Sequence, residues 1–375
     1  LPEYMFISGV APVKERNIFG GTYGDVYRST FEGKPVALKR LRIFQRSDDD
    51  ERRSLYKVTL MWQTLRHEFV LPFLGIDAEN FPRQPCMVSP WMSNGTLIHF
   101  LKRNPKANVD KLLFEIAQGI DYLHSQNIVH GDIKGVNILI DEHWKPLLAD
   151  FGLTLFADAT RHNTTGQGGT LRWMAPELFA GYDDSTPSKR TFASDIYAYG
   201  CLCVEAYTRK IPFYHEVRNE FGIIGFAKGG GRPSRPTESS AMTDELWELV
   251  NACWHQNPSS RPKSAMVVAV LRTILRKSAT DNSQQLRSTL SKMSFASSMS
   301  GGVSLHSNLN NPITSATGEE SVKKTMSPED HAELARCRKR IRRHADPNRM
   351  YQDVKILRYR FATLSCLFYH CLKKL

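Results

Sequence analysis

The stretch from His130 to Gly152, His-Gly-Asp-Ile-Lys-Gly-Val-Asn-Ile-Leu-Ile-Asp-Glu-His-Trp-Lys-Pro-Leu-Leu-Ala-Asp-Phe-Gly, decides how the rest of this chain is read. Two short apolar runs, Ile138 to Ile140 and Leu147 to Ala149, flank a polar segment from Asp141 to Pro146. Apolar runs of that length bounded by turn residues predict the two strands of a hairpin. Asp132, Lys134 and Asn137 then lie on the loop entering the first strand, and Asp150 leaves the second. The hairpin brings two carboxylates, an amide and an ammonium to one rim.

That rim suits a nucleotide with its metal ions. Asn137 and Asp150 offer hard oxygen ligands of the kind that favour Mg²⁺, which keeps several waters and takes only one or two carboxylates beside substrate phosphates. Asp132 is left free to orient a hydroxyl and accept its proton, and Lys134 to neutralise charge on a transferred phosphoryl group. These residues closely resemble the catalytic loop and Asp-Phe-Gly motif of eukaryotic protein kinases.

Size and composition are compatible with that resemblance. The 375 residues, 41% hydrophobic, suffice for one large or two ordinary domains with a real core. The formal charge of +12 is moderately basic, and the excess is concentrated late, around Arg336 to Arg343, so it belongs to a tail. Seven cysteines without framework spacing predict reduced thiols of an intracellular, cytoplasmic protein. Cys201 and Cys203 could suggest a metal clip, but their apolar, helical surroundings predict core packing. No run approaches the roughly 18 apolar residues of a membrane span, and no signal peptide is visible. The chain begins at Leu1 rather than Met, so a segment ahead of it stays open.

Residues 1–13 form an N-terminal leader mixing apolar residues with Pro and Gly. In Ile18 to Tyr27, Ile-Phe-Gly-Gly-Thr-Tyr-Gly-Asp-Val-Tyr, glycines between strands let backbone N–H groups approach phosphate oxygens. Pro35-Val36-Ala37-Leu38-Lys39 follows at the distance where the kinase resemblance wants its ATP-binding lysine. On that alignment Gly21, Gly24 and Val26 match the glycine-rich loop, while the first glycine position holds Phe19, with Gly20 displaced by one. Ser47 to Arg66 is charged and then helical, and the connection His67 to Gly75 resembles the kinase entry into the fourth strand. Anchored there, the resemblance places Val58 where the family's helical Glu pairs with the strand lysine, and Asp150 becomes the nearer substitute partner for Lys39. Cys86 to Trp91 predicts a buried strand running into a polar hinge. By resemblance Ser89 is a small gatekeeper, Trp91 and Met92 lie beside adenine, and Gly20, Gly21, Gly24, Val26, Ala37, Lys39 and Leu139 complete the ATP contacts.

Asn108 to Ser125 carries Leu112, Ile116, Ile120 and Leu123 at helical spacing, a core helix leading into His130. Thr154 to Gly169 lacks a core pattern and predicts a mobile loop. Thr170 to Glu177, Thr-Leu-Arg-Trp-Met-Ala-Pro-Glu, resembles the segment where substrate peptide docks. Ser194 predicts the cap of an apolar helix whose Asp195 resembles the residue that holds the catalytic-loop backbone. The resemblance also pairs Arg261 with Glu177, and Leu271 to Arg276 predicts the last core helix. Ser278 to Thr325 is too polar to offset its ordering entropy, so residues 276–326 predict a disordered Ser/Thr/Asn-rich linker. Residues 327–375 form a basic tail opened by the helix start Ser327-Pro328-Glu329-Asp330. A solvated charged helix is its plainer reading, an acidic partner or membrane surface the alternative, and nucleic-acid binding is not expected.

The resemblance covers residues 14–275 and implies an α+β, two-lobed protein-kinase-like fold. A small β-rich lobe spans residues 14–91 and a larger helical lobe residues 92–275. Gly169 to Glu177 and the Cys253-Trp254 ending resemble the tyrosine-kinase-like branch, and Lys134, two residues after Asp132, is the serine/threonine signature. The implied activity is ATP-dependent phosphorylation of Ser/Thr hydroxyls on protein substrates in intracellular signalling. Asp132 is then the base, Lys134 the charge stabiliser, Asn137 and Asp150 the Mg²⁺ ligands and Lys39 the holder of the α and β phosphates. Val58 and Phe19 keep an alternative open: a pseudokinase scaffold that acts through partners.

Overall fold

The computed structural model describes residues 2–14, 18–20, 24–41, 49–81, 84–151, 170–182, 189–237 and 242–280. These fall within one compact unit, Leu1–Phe295, and adopt the two-lobed α+β architecture expected. Gly21, the loop from Thr154 to Gly169 and the tail 327–375 lie outside the described residues.

The small lobe is a five-stranded antiparallel sheet in the order β1-β2-β3-β5-β4. Its strands are β1 (Phe19–Gly20), β2 (Gly24–Phe31), β3 (Lys34–Leu41), β4 (Gly75–Asp77) and β5 (Cys86–Pro90). Glu32 and Gly33 at the β2–β3 turn both have positive φ, 49° and 74°. That handedness matches the twist of the flanking strands in a two-residue hairpin. Helix α1 (Asp49–Thr64) buries Val58, Trp62 and, just beyond it, Leu65 in the core that also holds Phe73, Ile76 and Met87. The leader is tied to the edge strand: Met5 is buried in the same core, Ile7 N donates to Ile76 O at 2.9 Å, and Val13 N donates to Asn80 Oδ1 at 2.8 Å.

In the large lobe, α2 (Leu97–Arg103) and α3 (Val109–Ser125) precede the hairpin β6 (Ile138–Ile140) and β7 (Pro146–Leu148). The hairpin read from the sequence is present, with Leu139 opposite Leu147. Helix α3 lies close against it because Gly119 has no side chain: a Cβ there would come within 2.7 Å of Leu148 and 2.8 Å of the Phe69 carbonyl. Helix α4 (Phe192–Thr208) is buried along most of its length, followed by α5 (Glu220–Lys228), α6 (Asp244–Cys253) and a last helix, α7, over residues 264–280. Two boundaries differ from expectation. Helix α4 is capped by Thr191, and Ser194 is the third helical residue of a reciprocal capping box; the apolar pattern starts a turn after the backbone does. Helix α7 continues through positions 276–280, where the polar linker was expected to begin.

Candidate active site

Buried Asp195 on α4 organises the loop ahead of β6. Its carboxylate accepts hydrogen bonds from His130 N and Gly131 N, both at 2.8 Å, and His124 Nε2 lies 2.9 Å away. Gly131 adopts φ 79°, a left-handed conformation open to glycine at little cost. Burial pushes the His130 imidazole below its ordinary pKa, against the neighbouring carboxylates Asp195, Asp132 and Asp150. The ring sits edge-on to Phe151 at 6.3 Å. Phe151 meets Trp62 at 5.7 Å, and Trp62 meets Phe73 at 5.2 Å, so a continuous aromatic column joins α1 to the loop. The indole of Trp62 is fixed in turn by donating to Leu71 O at 2.7 Å.

The same loop concentrates the polar groups. Asn137 Nδ2 donates to Asp132 O at 2.7 Å and to Asp132 Oδ2 at 2.8 Å. Lys134 Nζ lies 2.9 Å from Asp132 Oδ2 and donates to Thr170 Oγ1, also at 2.9 Å. One carboxylate oxygen of Asp132 is thus doubly held. The other, Oδ1, is buried with no hydrogen-bond partner among the described residues, an arrangement that ordinarily costs about 1–3 kcal/mol and that an incoming donor would relieve.

Across the cleft, Lys39 Nζ forms an ion pair and hydrogen bond with Asp150 Oδ1. Val58 on α1 is 4% exposed and lies in the apolar core, so the helix position opposite carries no carboxylate. Asp150 has φ 63°, a left-handed backbone that Asp tolerates better than most residues.

The expected nucleotide contacts mark one face of the small-lobe sheet. Val26 is the cross-strand partner of Lys39, and Ala37 that of Ser89; directly opposed residues share a face. Gly20 ends β1 opposite Asp25, and Gly24 begins β2. Trp91 N donates to Pro35 O at 3.0 Å, and its ring lies under the Arg28 guanidinium at 5.2 Å, so the indole is turned toward β2. Met92 and, from the hairpin, Leu139 are partly buried against the large core. As for a metal, the described residues hold no group of three His, Cys, Asp or Glu side chains. A site built on Asn137 and Asp150 would need phosphate oxygens and water to complete its shell, which is the donor set Mg²⁺ accepts. Cys201 and Cys203 are buried thiols whose pKa values burial raises, as inert core residues should be.

Glu205 is a functional candidate that the sequence reading missed. Only 3% exposed on α4, its Oε2 accepts from Gly135 N and from Trp173 Nε1, both at 2.9 Å. A Cβ on Gly135 would stand 2.8 Å from Glu205 Oε1 and 2.5 Å from Ile98, so the close approach requires glycine. Burial raises the Glu205 carboxyl to about 7, while the Gly135 and Trp173 hydrogen bonds and the Lys134 charge pull it down. A lone Glu within the apolar run Cys201 to Ala206 was the available signal. Farther out, Arg261 grips Glu177 with two bonds of 2.7 Å, the pair the resemblance implied.

The model of the protein tyrosine and serine/threonine kinase family matches residues 13–271. The chain belongs to this family. Serine/threonine-protein kinase STY17 of Arabidopsis thaliana is 29% identical over 71% of this chain and 45% of its own length. The RGS domain-containing serine/threonine-protein kinase A of Dictyostelium discoideum is 32% identical over 75% of this chain and 24% of its own. Serine/threonine/tyrosine-protein kinase HT1 of Arabidopsis thaliana is 30% identical over 67% of this chain and 63% of its own. The chain thus spans less than two thirds of each relative. The resemblance to the tyrosine-kinase-like serine/threonine branch stands on these matches. Kinase domains of this family use ATP and a divalent metal. No helix among the described residues is long and apolar enough to cross a membrane.

Proposed function

We propose that this chain transfers the γ-phosphoryl group of ATP to Ser and Thr hydroxyls of protein substrates, with Mg²⁺ as the metal. Buried Asp132 Oδ1, without a partner among the described residues while Oδ2 is held by Asn137 and Lys134, carries this reading. An acceptor so fixed is suited to orient a substrate hydroxyl and take its proton as the new O–P bond forms. Lys134, between Asp132 and Thr170, neutralises charge on the transferred group. Asn137 and Asp150 would hold the metal, which supplies charge neutralisation at the phosphates when bound. Gly20, Gly21, Gly24, Val26, Ala37, Ser89, Trp91, Met92 and Leu139 would form the nucleotide cradle around Lys39. The working domain on this reading is residues 14–275, with residues 276–326 a linker and the basic tail 327–375 available to an acidic partner or surface.

Incubating the purified chain with labelled ATP, Mg²⁺ and a generic Ser/Thr protein substrate tests this. Transfer is expected, and Asp132→Asn, which keeps the shape but removes the base, should lower it by ~10²- to 10⁴-fold with nucleotide affinity retained. Transfer at the parent rate by that variant would refute the role of Asp132. Nucleotide binding by the parent chain without any transfer would favour the scaffold alternative.

A further inference from the structure

Lys39 and Asp150 stand 111 residues apart in the chain, and each is the other's only ion-pair partner among the described residues. The geometry around Lys39 explains why no second carboxylate among the described side chains competes. Its cross-strand partner is Met87, so both side chains leave the same face of the sheet. Helix α1 covers that face, with Thr59 Oγ1 reaching Met87 Sδ at 3.9 Å. The residues buried there are Val58, Thr59 and Trp62, exposed by 4%, 1% and 7%. Helix α1 offers the ammonium no charge from these positions. The pair is also partly withdrawn from water, at 15% exposure for the Lys39 side chain and 30% for that of Asp150, so it is screened less than a surface pair.

We propose that Asp150 serves two positive partners in turn. It holds Lys39 while the carboxylate carries no divalent cation, and surrenders Lys39 to the nucleotide phosphates once a cation has claimed it. This rests on reading the cleft as a nucleotide and cation site. A doubly charged ion outcompetes an ammonium for one carboxylate, and the released lysine, on a flexible four-carbon stem, is free to turn toward phosphate oxygens. Lys39 therefore contributes to nucleotide affinity only when the cation is present. A lysine with its own carboxylate anchor would contribute in both conditions.

The measurement is the ATP dissociation constant of the full chain and of Lys39→Met, each in MgCl₂ and in EDTA. With Mg²⁺, Lys39→Met should weaken binding by about tenfold to a hundredfold, the effect of one charge-assisted contact to phosphate. In EDTA the loss should stay under about twofold. Equal losses in the two conditions would overturn the proposal. Val58→Glu adds a carboxylate to the face of α1 that meets Lys39, and in that background Lys39→Met should weaken binding in EDTA as well. If melting shows that Val58→Glu does not fold, the two-condition comparison on Lys39→Met alone still decides. Phosphotransfer measured on the same preparations separates the two readings. Transfer with equal losses refutes the shared carboxylate and leaves the kinase activity standing. The expected split without transfer supports the shared carboxylate and refutes the activity.

Discussion

Replacing Asp195 by Ala leaves three groups around the catalytic loop without their acceptor: His130 N and Gly131 N, each at 2.8 Å, and His124 Nε2 at 2.9 Å. The side chain is 1% exposed, so bulk water does not replace it, and alanine offers no acceptor. Hydrogen bonds to a charged group contribute about 1.5–3 kcal/mol each, so losing the two backbone bonds destabilises the chain by about 3–6 kcal/mol. That is a large part of the ~5–15 kcal/mol that holds a domain folded. At about 2–4 °C per kcal/mol for a domain of roughly 150–250 residues, melting should fall by about 6–24 °C. Activity should fall beyond what unfolding explains, because the carbonyl of Asp132 and its neighbours would lose their fixed bearing on Asn137. Asp195→Asn retains one acceptor oxygen and should lie between the two. Scanning calorimetry on the three proteins, with phosphotransfer measured at a temperature where all remain folded, checks the reasoning. A fall under about 2 °C with transfer unchanged would refute the claim that Asp195 anchors the loop.

Glu205, raised by burial to about 7 from an unfolded value of about 4.3, keeps in the folded chain a proton that the unfolded chain has lost. Between those pH values stability falls as pH rises, by an amount of order 3 kcal/mol; Glu205→Gln should therefore gain stability relative to the parent from pH 5 to pH 8 in urea titrations, and an unchanged difference would contradict the assignment. Arg261→Lys keeps the charge but loses the fork that grips Glu177 twice, at 2.7 Å each, and donates to Ala193 O and His255 O. It should cost about 3 kcal/mol, and a urea titration showing under about 1 kcal/mol would mean that the lysine replaces those contacts. Gly131 stands where many kinases carry an Arg that pairs with a phosphorylated loop, so phosphate on Thr160, Thr164, Thr165 or Thr170 lacks that partner. Complete phosphatase treatment should leave activity largely unchanged, and a large drop would show that another cation takes the role.

The sequence by itself determined what rests on local periodicity and on short-range chemistry. The apolar runs around the polar Asp141 to Pro146 segment became β6 and β7, and the helical spacing of Leu112, Ile116, Ile120 and Leu123 became α3. Asp132, Lys134 and Asn137 lie within six residues of one another, so one loop had to carry them together. Other features depend on contacts that no local window contains. Thr191 rather than Ser194 begins α4, because backbone capping geometry, not the apolar pattern, sets a helix start. Glu205 is a single charge within an apolar run, and only the fold sets Gly135 and Trp173 against it, 70 and 32 residues away. The pairing of Lys39 with Asp150 needed a β-strand from one lobe and a hairpin end from the other to meet across the cleft. Burial and charge are properties of the assembled neighbourhood, since desolvation depends on every surrounding atom. Only the tertiary structure could therefore decide how far burial raises the Glu205 carboxyl and which oxygen of Asp132 has no partner among the described residues.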